Sequence, residues 1–273
     1  MNASLRSLLR SWLVHGFLGL MAFLSVAPFA WMVVGATNAS IDITSGKLSF
    51  GSAFVDNISR LAELYSLPLI FWNSTKIALI GSVVTLAVTS LAGYGFEMFA
   101  SRTRERVYVV VLLSMMVPFA ALMIPLFALM ANLDLLDTHA AVILPTLASA
   151  YLIFYFRQSS KAFPAELREA AMLDGLREWE IFLFIYVPVM RSTYAAAFII
   201  TFMSAWNGFL WPLIALQSPE LKTITLVISS LGSAYTPDFG LIMVAVVLAT
   251  VPMLLIFFLM QRQFVRGLLG SVK

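Results

Sequence analysis

The chain has 273 residues, of which 61% are hydrophobic and 11% charged, and its mean hydropathy is +0.93. A soluble domain is closer to half apolar and a quarter charged, so this composition indicates a protein surrounded by lipid. The absence of Cys excludes disulfides and thiolate metal sites, and the 2 His residues are too few for a metal cluster, so no metal site is expected. The net charge of +3 fits basic cytoplasmic loops, and no nucleic-acid partner is expected.

Six apolar segments are long enough to cross a bilayer, which takes about 20 mostly apolar residues. In chain order they are expected near residues 12–36, 69–99, 107–130, 139–156, 194–216 and 239–260. The fourth segment is short, and the fifth carries the polar Asn207. The sequence therefore predicts an all-α integral membrane protein with six transmembrane helices.

The distribution of basic residues predicts the orientation of these helices. With the N-terminus inside, all but four of the 17 Lys and Arg residues fall in cytoplasmic segments. Basic residues accumulate on the cytoplasmic side, so both termini are predicted to be cytoplasmic. A cleaved signal peptide fits poorly, because the first apolar run exceeds the usual length of about 7–15 residues.

The spans lack the groups that usually energise transport. All 14 acidic residues lie outside the spans or at their ends, with Glu97 closest, so no mid-membrane ion relay is apparent. A phosphate-binding loop is also missing: the one Gly-Lys pair, Gly46-Lys47, is followed by Leu48 and lacks the first glycine. The chain is therefore expected to be no enzyme and to bind no ATP, with energy entering through other subunits.

Proline or glycine, which can bend a helix, occurs in every predicted span. Proline lies in five of them, as Pro28, Pro118, Pro125, Pro145, Pro212 and Pro252, and the second contains Gly81, Gly93 and Gly95. Proline removes a backbone donor and kinks a helix, which membranes tolerate when neighbours satisfy the freed carbonyl. This pattern fits the ordinary composition of transmembrane helices. It also fits a helix bundle whose kinks allow it to move between two conformations.

The largest cytoplasmic loop, about residues 157–191, holds an unusual concentration of charge. Pro164 suits the first turn of a helix, and Gly175 suits the position just after its end, so a helix is predicted over 164–174. A second helix over 177–187 then leads to Pro188 and the fifth span. The face of Ala170, Ala171 and Met172 is predicted to be exposed and to enter a cleft in another protein, although the pattern also fits an amphipathic connector.

This loop resembles the coupling motif of ATP-binding-cassette (ABC) importer permeases. That motif reads Glu-Ala-Ala, three residues, Gly, nine residues, Ile, one residue, Leu-Pro. The chain matches it at Glu169, Ala170, Ala171, Asp174, Gly175, Ile185 and Pro188, with Val187 in place of the leucine. The resemblance implies the type I importer permease fold, with a cytoplasmic coupling helix that docks on an ATPase.

The resemblance covers nearly the whole chain and points to the carbohydrate-uptake family, in the group of the second maltose-transporter permease. Matching stretches include "NSTKIAL", "AWNGFLWPL" and "LATVPMLLIFFLMQRQFVRGLLGSVK". Gly208 departs from relatives that often carry an acidic residue there. The family implies a bacterial inner-membrane permease paired with a second permease as a heterodimer. Its other partners are two ATPases that bind ATP and Mg, and an extracytoplasmic substrate-binding protein.

The resemblance also implies a division of the chain and roles for two further segments. Residues 1–68 form the N-terminus, first span and outer loop, residues 69–262 the transmembrane core, and residues 263–273 a cytoplasmic tail. The expected binding-protein contacts are Pro219, Glu220, Leu221 and Lys222, and the expected ATPase contacts in the tail are Phe264, Arg266, Gly267 and Lys273.

The substrate implied by the resemblance is a sugar, most often a disaccharide or oligosaccharide. Trp206, Asn207 and Trp211 are candidate pathway residues through stacking and hydrogen bonding, or else only pack the helices. Glycerol phosphate or a polyol is an alternative substrate, but no basic cluster lies inside the spans to pair with a phosphate. A secondary transporter or channel is the alternative class.

Overall fold

The regular structure of the chain is helical wherever the computed structural model describes it, which is residues 3–99 and 101–270, with side chains for 11–99 and 101–262. The α-helices are α1 (Ala3–Ala36), α2 (Ser40–Thr44), α3 (Phe54–Leu64), α4 (Leu67–Met98), α5 (Arg102–Ser114), α6 (Phe119–Asn132), α7 (His139–Ile143), α8 (Ala150–Ser160), α9 (Ala165–Leu173), α10 (Glu178–Ile181), α11 (Val187–Val189), α12 (Arg191–Trp206), α13 (Leu210–Ala215), α14 (Ile224–Gly232) and α15 (Phe239–Gly270). Short 3₁₀ turns occur at Leu144–Thr146 and Pro219–Leu221, and a π-helical turn at Phe182–Tyr186.

Up to six spans can be built from the described helices. Three single helices are long and apolar enough to cross a membrane: Ser11–Ala36, Leu67–Met98 and Phe239–Arg262. Three bent pairs reach that length together: Arg102–Ser114 with Phe119–Asn132, His139–Thr146 with Ala150–Ser160, and Glu178–Val189 with Arg191–Trp206. The number agrees with the sequence prediction, but half of the spans are broken.

The third span was expected to be one helix over 107–130, which is wrong. Helices α5 and α6 meet at 102° instead. The break lies at Pro118, which has extended backbone angles (φ −60°, ψ 134°) and precedes the first residue of α6. Proline cannot donate the hydrogen bond that would continue α5, so the chain turns there. Pro28 and Pro252 lie inside unbroken helices, so proline alone does not decide the outcome.

The fourth and fifth spans are also discontinuous. The fourth bends by 43° between its two helices, after the 3₁₀ turn that contains Pro145. The fifth was expected as one helix over 194–216, but α12 ends at Trp206 and α13 begins at Leu210. Asn207 follows the last residue of α12, and its side-chain amide donates to the carbonyl of Met203 at 2.8 Å. That local bond competes with helix continuation, which explains the break.

The chain divides into two compact units. The first comprises Met1–Leu67 and Ile228–Val251, so it includes residues that the sequence analysis assigned to the core. Contacts distant in sequence explain this grouping. Asn57 on α3 donates to the carbonyl of Asn38 at 3.0 Å, and Arg60 pairs with Asp238 at 2.6 Å.

The second unit comprises Pro68–Val227 and Pro252–Lys273. The described residues of its interior include clusters of buried apolar side chains centred on Ile77, Val142 and Trp211, on Leu86, Phe156 and Ala197, and on Tyr94, Phe163 and Tyr186. Helix α4 contributes to all three clusters. It therefore connects these clusters along its length.

Candidate functional site

Helix α9 in the charged loop has the expected start and end. Pro164 directly precedes it in an extended conformation, and Asp174 follows its last residue. Gly175 has φ +83°, a left-handed conformation that favours glycine. The amide of Leu176 donates to the carbonyl of Ala171 at 3.0 Å, and that of Gly175 to Met172 at 3.1 Å. This bond pair is the Schellman motif, so the sequence signal for the helix end is confirmed.

An ion pair ties the two helices of the loop to each other and to α4. Arg168 on α9 forms a charge-assisted hydrogen bond with Glu178 on α10, and Tyr94 on α4 donates to the same carboxylate at 2.9 Å. The hydrogen bond to Glu178 raises the pKa of Arg168 further above its ordinary range. The Arg168 guanidinium also lies 5.2 Å from the centre of the Phe99 ring. Because Arg168 and Tyr94 both hold the Glu178 carboxylate, the loop is fixed to α4.

The second helix of the loop is interrupted by the π-helical turn. Val187 donates to Phe182 five residues back. The next residue, Pro188, has no amide hydrogen for the usual bond four residues back, which accounts for the altered register before it. Tyr186 within the turn is fully buried, and its hydroxyl lies 2.6 Å from that of Ser160. Ile185 packs against the same apolar cluster. The turn thus anchors the loop in the core.

The expectation that Ala171 is exposed is wrong. Only 4% of Ala171 is accessible, because it lies on the inward face of α9. The outward surface is formed by the exposed residues Glu169, Ala170, Met172, Leu173, Asp174 and Gly175, which we call the loop tip. Leu173 is 89% exposed and is its most prominent apolar side chain.

A cavity of about 640 Å³ lies within the second unit. Its lining comes from α4, α6, α7, α8, α12, α13 and the segments next to them. The polar lining residues are Ser82, Thr85, Thr146, Ser149, Thr201, Ser204, Asn207 and Trp211, and the remainder are apolar or glycine. No Asp, Glu, Lys, Arg or His is among the described residues that line it. The cavity is therefore suited to a neutral solute.

The three candidate pathway residues occupy different positions. Asn207 and Trp211 line the cavity, whereas Trp206 does not. Trp206 is 1% exposed and stacks on Phe202 with ring centres 5.8 Å apart. The Trp211 indole donates to the carbonyl of Ala141 at 2.8 Å, which fixes its ring against the cavity.

Side chains that the sequence analysis did not assign to a site hold the predicted binding-protein segment. Asn73 donates to the carbonyls of Glu220 and Lys222 at 2.7 and 3.2 Å. A ring nitrogen of His139 lies 3.1 Å from the carbonyl of Leu221. Isolated polar residues within the first turns of apolar helices were the available signal, because such side chains reach neighbouring backbone groups. The segment Pro219–Leu221 is therefore held in place rather than free.

Asp137 secures the residues just before this segment. Its carboxylate accepts hydrogen bonds from the amides of Gln217 and Ser218, at 2.8 and 2.9 Å, and from the Ser218 hydroxyl. The Ser218 hydroxyl and amide, followed by the Gln217 amide, hold the pKa of Asp137 below its ordinary 3.8. The attachment is thus fully present above that value and is lost as the pH falls through the lowered pKa.

Replacing this carboxylate should loosen the segment. In Asp137→Ala, amide hydrogen exchange over residues 216–222 should become severalfold faster at neutral pH, because two amides lose their acceptor. Asp134→Ala is the matched control, since Asp134 and Asp137 both have positive φ, of 52° and 57°. Mass spectrometry measures the amide hydrogen exchange of this segment in the wild type and in both variants. Equal exchange in both variants would mean that backbone strain, not the carboxylate, sets the order of the segment.

The predicted ATPase-contacting tail is described only in part. The backbone of Phe264, Arg266 and Gly267 continues α15, but their side chains lie outside the described residues, as does the whole of Lys273.

A solute-transporting membrane subunit is indicated by the apolar helices of membrane-spanning length, the loop bonded to α4 and the cavity whose described lining carries no ionisable side chain. The chain belongs to the family described as binding-protein-dependent transport system inner membrane component, whose model matches residues 86–270. It is thus a membrane-embedded transport permease with the type I ABC importer permease fold, and not an enzyme. ATPase and substrate-binding-protein partners follow from this membership.

The chain is also similar to individual transport permeases over most or all of its length. The chain is 62% identical over 273 residues to the lactose transport system permease protein LacG of Rhizobium radiobacter, with all of both chains covered. It is 35% identical over 208 residues to the sn-glycerol-3-phosphate transport system permease protein UgpE of Pectobacterium atrosepticum, covering 75% of this chain and 74% of that one. A solved bacterial ABC transporter that imports the acidic polysaccharide alginate matches with TM-score 0.84 and 19% identity, covering 97% and 99% of the chains, and supports the fold.

Proposed function

We propose that this chain forms half of the translocation pathway of a sugar importer and couples it to ATP hydrolysis by separate subunits. The other half is a second, different permease, and two ATPases and an extracytoplasmic binding protein complete the assembly. The observation that carries this proposal is the α9–Gly175–α10 loop, whose tip is exposed while its base is bonded to α4 through Glu178 and Tyr94.

The loop residues have two distinct roles in this proposal. Glu169, Ala170, Asp174 and Gly175 lie at the exposed tip and contact an ATPase cleft. Ala171, Ile185 and Pro188 instead support the tip, through packing or through the course of the chain. A movement of the tip is then transmitted to α4, because Arg168 on α9 and Tyr94 on α4 both bond Glu178 on α10.

ATP and Mg²⁺ bind to the partner ATPases in this proposal. Support comes from the sequence, in which no Gly-x-x-x-x-Gly-Lys-Ser/Thr pattern occurs. Phe264, Arg266, Gly267 and Lys273 are proposed to touch the ATPase pair, which requires a cytoplasmic C-terminus. The bias of Lys and Arg supports that orientation, with both termini on the cytoplasmic side of a bacterial inner membrane.

The proposed substrate is a neutral sugar, in the size range of a disaccharide. The 62% identical relative is a lactose permease by name, and the cavity lining carries no ionisable side chain among the described residues. A polyol is the second candidate, since the same lining suits it. Glycerol phosphate, suggested by the 35% identical relative, is disfavoured because an unpaired phosphate charge in an uncharged cavity is costly.

The binding protein is proposed to dock near Pro219, Glu220, Leu221 and Lys222. The bonds from Asn73, Asp137 and His139 hold this segment in one conformation. A preformed contact lowers the entropy lost on docking.

The proposed function predicts a strict dependence on partners. In liposomes, lactose uptake driven by ATP should require this chain, the second permease, both ATPases and the loaded binding protein. Uptake assays omitting one component at a time test this. This chain alone should neither hydrolyse ATP nor accumulate lactose under a proton or sodium gradient. Gradient-driven accumulation by the isolated chain would favour a secondary transporter instead.

A further inference from the structure

The cavity contains a buried hydroxyl group without a protein partner. Ser82 on α4 is 1% exposed, and its Oγ has no hydrogen-bond partner among the described residues. Ser82 belongs to the cavity lining. Buried polar groups are nearly always hydrogen-bonded, so an unpaired one at a cavity wall points to a partner that arrives from the cavity.

The neighbouring hydroxyl is only weakly satisfied. Thr85 lies nearly one turn further along α4, is 2% exposed, and donates to the carbonyl of Thr146 at the long distance of 3.4 Å. By contrast, Thr89, one turn beyond, donates to the carbonyl of Thr85 at 2.6 Å and does not line the cavity. The unpaired hydroxyl of Ser82 and the weakly paired hydroxyl of Thr85 thus both lie where α4 faces the cavity.

Aromatic rings complete the cavity wall. Phe119 and Trp211 meet edge to face with ring centres 6.5 Å apart. The bond from the Trp211 indole to Ala141 holds its ring in one orientation. Sites for small molecules combine apolar and aromatic walls with a few placed polar groups, in volumes of about 300–1,000 Å³. A sugar matches both features, with C–H faces for the rings and hydroxyls for the serine and threonine.

We infer that this cavity is a binding site for a neutral polyhydroxyl solute, with Ser82 and Thr85 as its polar contacts on α4. The inference rests on the proposed function and deepens it, because it assigns direct substrate contact to this subunit and not only to its partner permease. Selectivity against anions follows from the lining, since none of its described residues carries a positive charge that would compensate a buried anion.

The first test compares two matched threonine variants in the complete importer, with lactose as the probe. Valine keeps the shape of threonine but removes its hydroxyl. At saturating loaded binding protein, Thr85→Val should slow lactose uptake about threefold to tenfold, which corresponds to one neutral hydrogen bond. Ser82→Ala should have a similar effect. Thr89→Val should retain the wild-type uptake rate, because its hydroxyl donates to the Thr85 carbonyl within α4 and the residue is not part of the described cavity lining.

The second test detects occupancy directly and does not depend on rates. The chain has no native Cys, so a single Cys can be followed by mass spectrometry of this subunit. Ser204→Cys places a thiol at an exposed position of the cavity lining, and lactose should slow its reaction with N-ethylmaleimide in the importer. Ser192→Cys, on the same helix but outside the lining, should react equally with and without lactose.

The outcomes separate the inference from the proposed function. Wild-type lactose uptake together with equal rates for Thr85→Val and Thr89→Val, and no protection of Ser204→Cys, would overturn the inference alone. No reaction of Ser204→Cys in either condition would mean that the partner permease fills the cavity, which also overturns it. Failure of the wild-type complex to take up lactose with ATP would overturn the proposed function and the inference with it.

Discussion

Gly93→Ala should prevent α4 and α8 from packing and should sharply lower the stability of the permease. A Cβ at residue 93 would lie 2.6 Å from the Phe156 Cβ, 2.8 Å from the Arg157 amide nitrogen and 3.0 Å from the Phe156 carbonyl carbon. Two of these are backbone atoms, which cannot rotate away, so the helices must separate. Overpacking of this kind costs about 1–3 kcal/mol and occasionally more.

The damage should extend beyond the contact itself. Arg157 on α8 forms ion pairs with Glu97 at 3.3 Å and Glu105 at 2.7 Å, and its guanidinium lies 4.0 Å from the centre of the Tyr108 ring. This cluster joins α4, α5 and α8 at the end that leads into the charged loop. Displacing α8 therefore strains the cluster as well as the apolar core.

Gly95→Ala is the matched control on the same helix. No atom of the described residues around α4 lies within 4 Å of a Cβ at residue 95, and alanine favours a helix over glycine by about 1 kcal/mol. The midpoint of thermal unfolding of the purified permease should fall for Gly93→Ala and stay level or rise slightly for Gly95→Ala. Equal midpoints would show that α4 and α8 do not approach as closely as described.

Local signals in the sequence were sufficient to predict α9 and its end. Glycine tolerates the left-handed conformation at residue 175, and Pro164 suits the start of a helix, so neither feature depends on distant residues. The direction that α9 faces was not predictable in the same way. The spacing of Ala170 and Ala171 defines a helix face, but burial of Ala171 depends on elements elsewhere in the chain.

The breaks in the spans were likewise not predictable from the local sequence. Pro118 lies at the break between α5 and α6, whereas Pro28 and Pro252 lie within continuous helices. Whether a freed carbonyl finds another donor depends on neighbouring helices, which the local sequence does not specify. Of the cavity lining, the sequence analysis named Asn207 and Trp211, whereas Ser82 and Thr85 were missed because the lining is spread over residues 77–212 and only the folded chain brings it together.

Ala170→Trp should abolish loaded-binding-protein stimulation of ATP hydrolysis while leaving the permease folded. Ala170 is exposed at the loop tip, so a large side chain there should point into solvent without displacing other residues of this chain. In an ATPase cleft the indole would overpack the contact, at a cost of about 1–3 kcal/mol or more. Stimulated hydrolysis and co-purification of the ATPase, measured at equal membrane levels, should both fall.

Two further substitutions show whether the shape of the loop tip is what matters. Gly175→Leu places a side chain at φ +83°, where a left-handed residue costs about 1–2 kcal/mol, so it should weaken coupling by distorting the end of α9. Ala162→Trp introduces the same indole at an exposed alanine before α9 and should leave coupling intact. If Ala170→Trp and Gly175→Leu both keep wild-type stimulation and ATPase attachment, the loop is only a connector between spans, because its tip then enters no cleft.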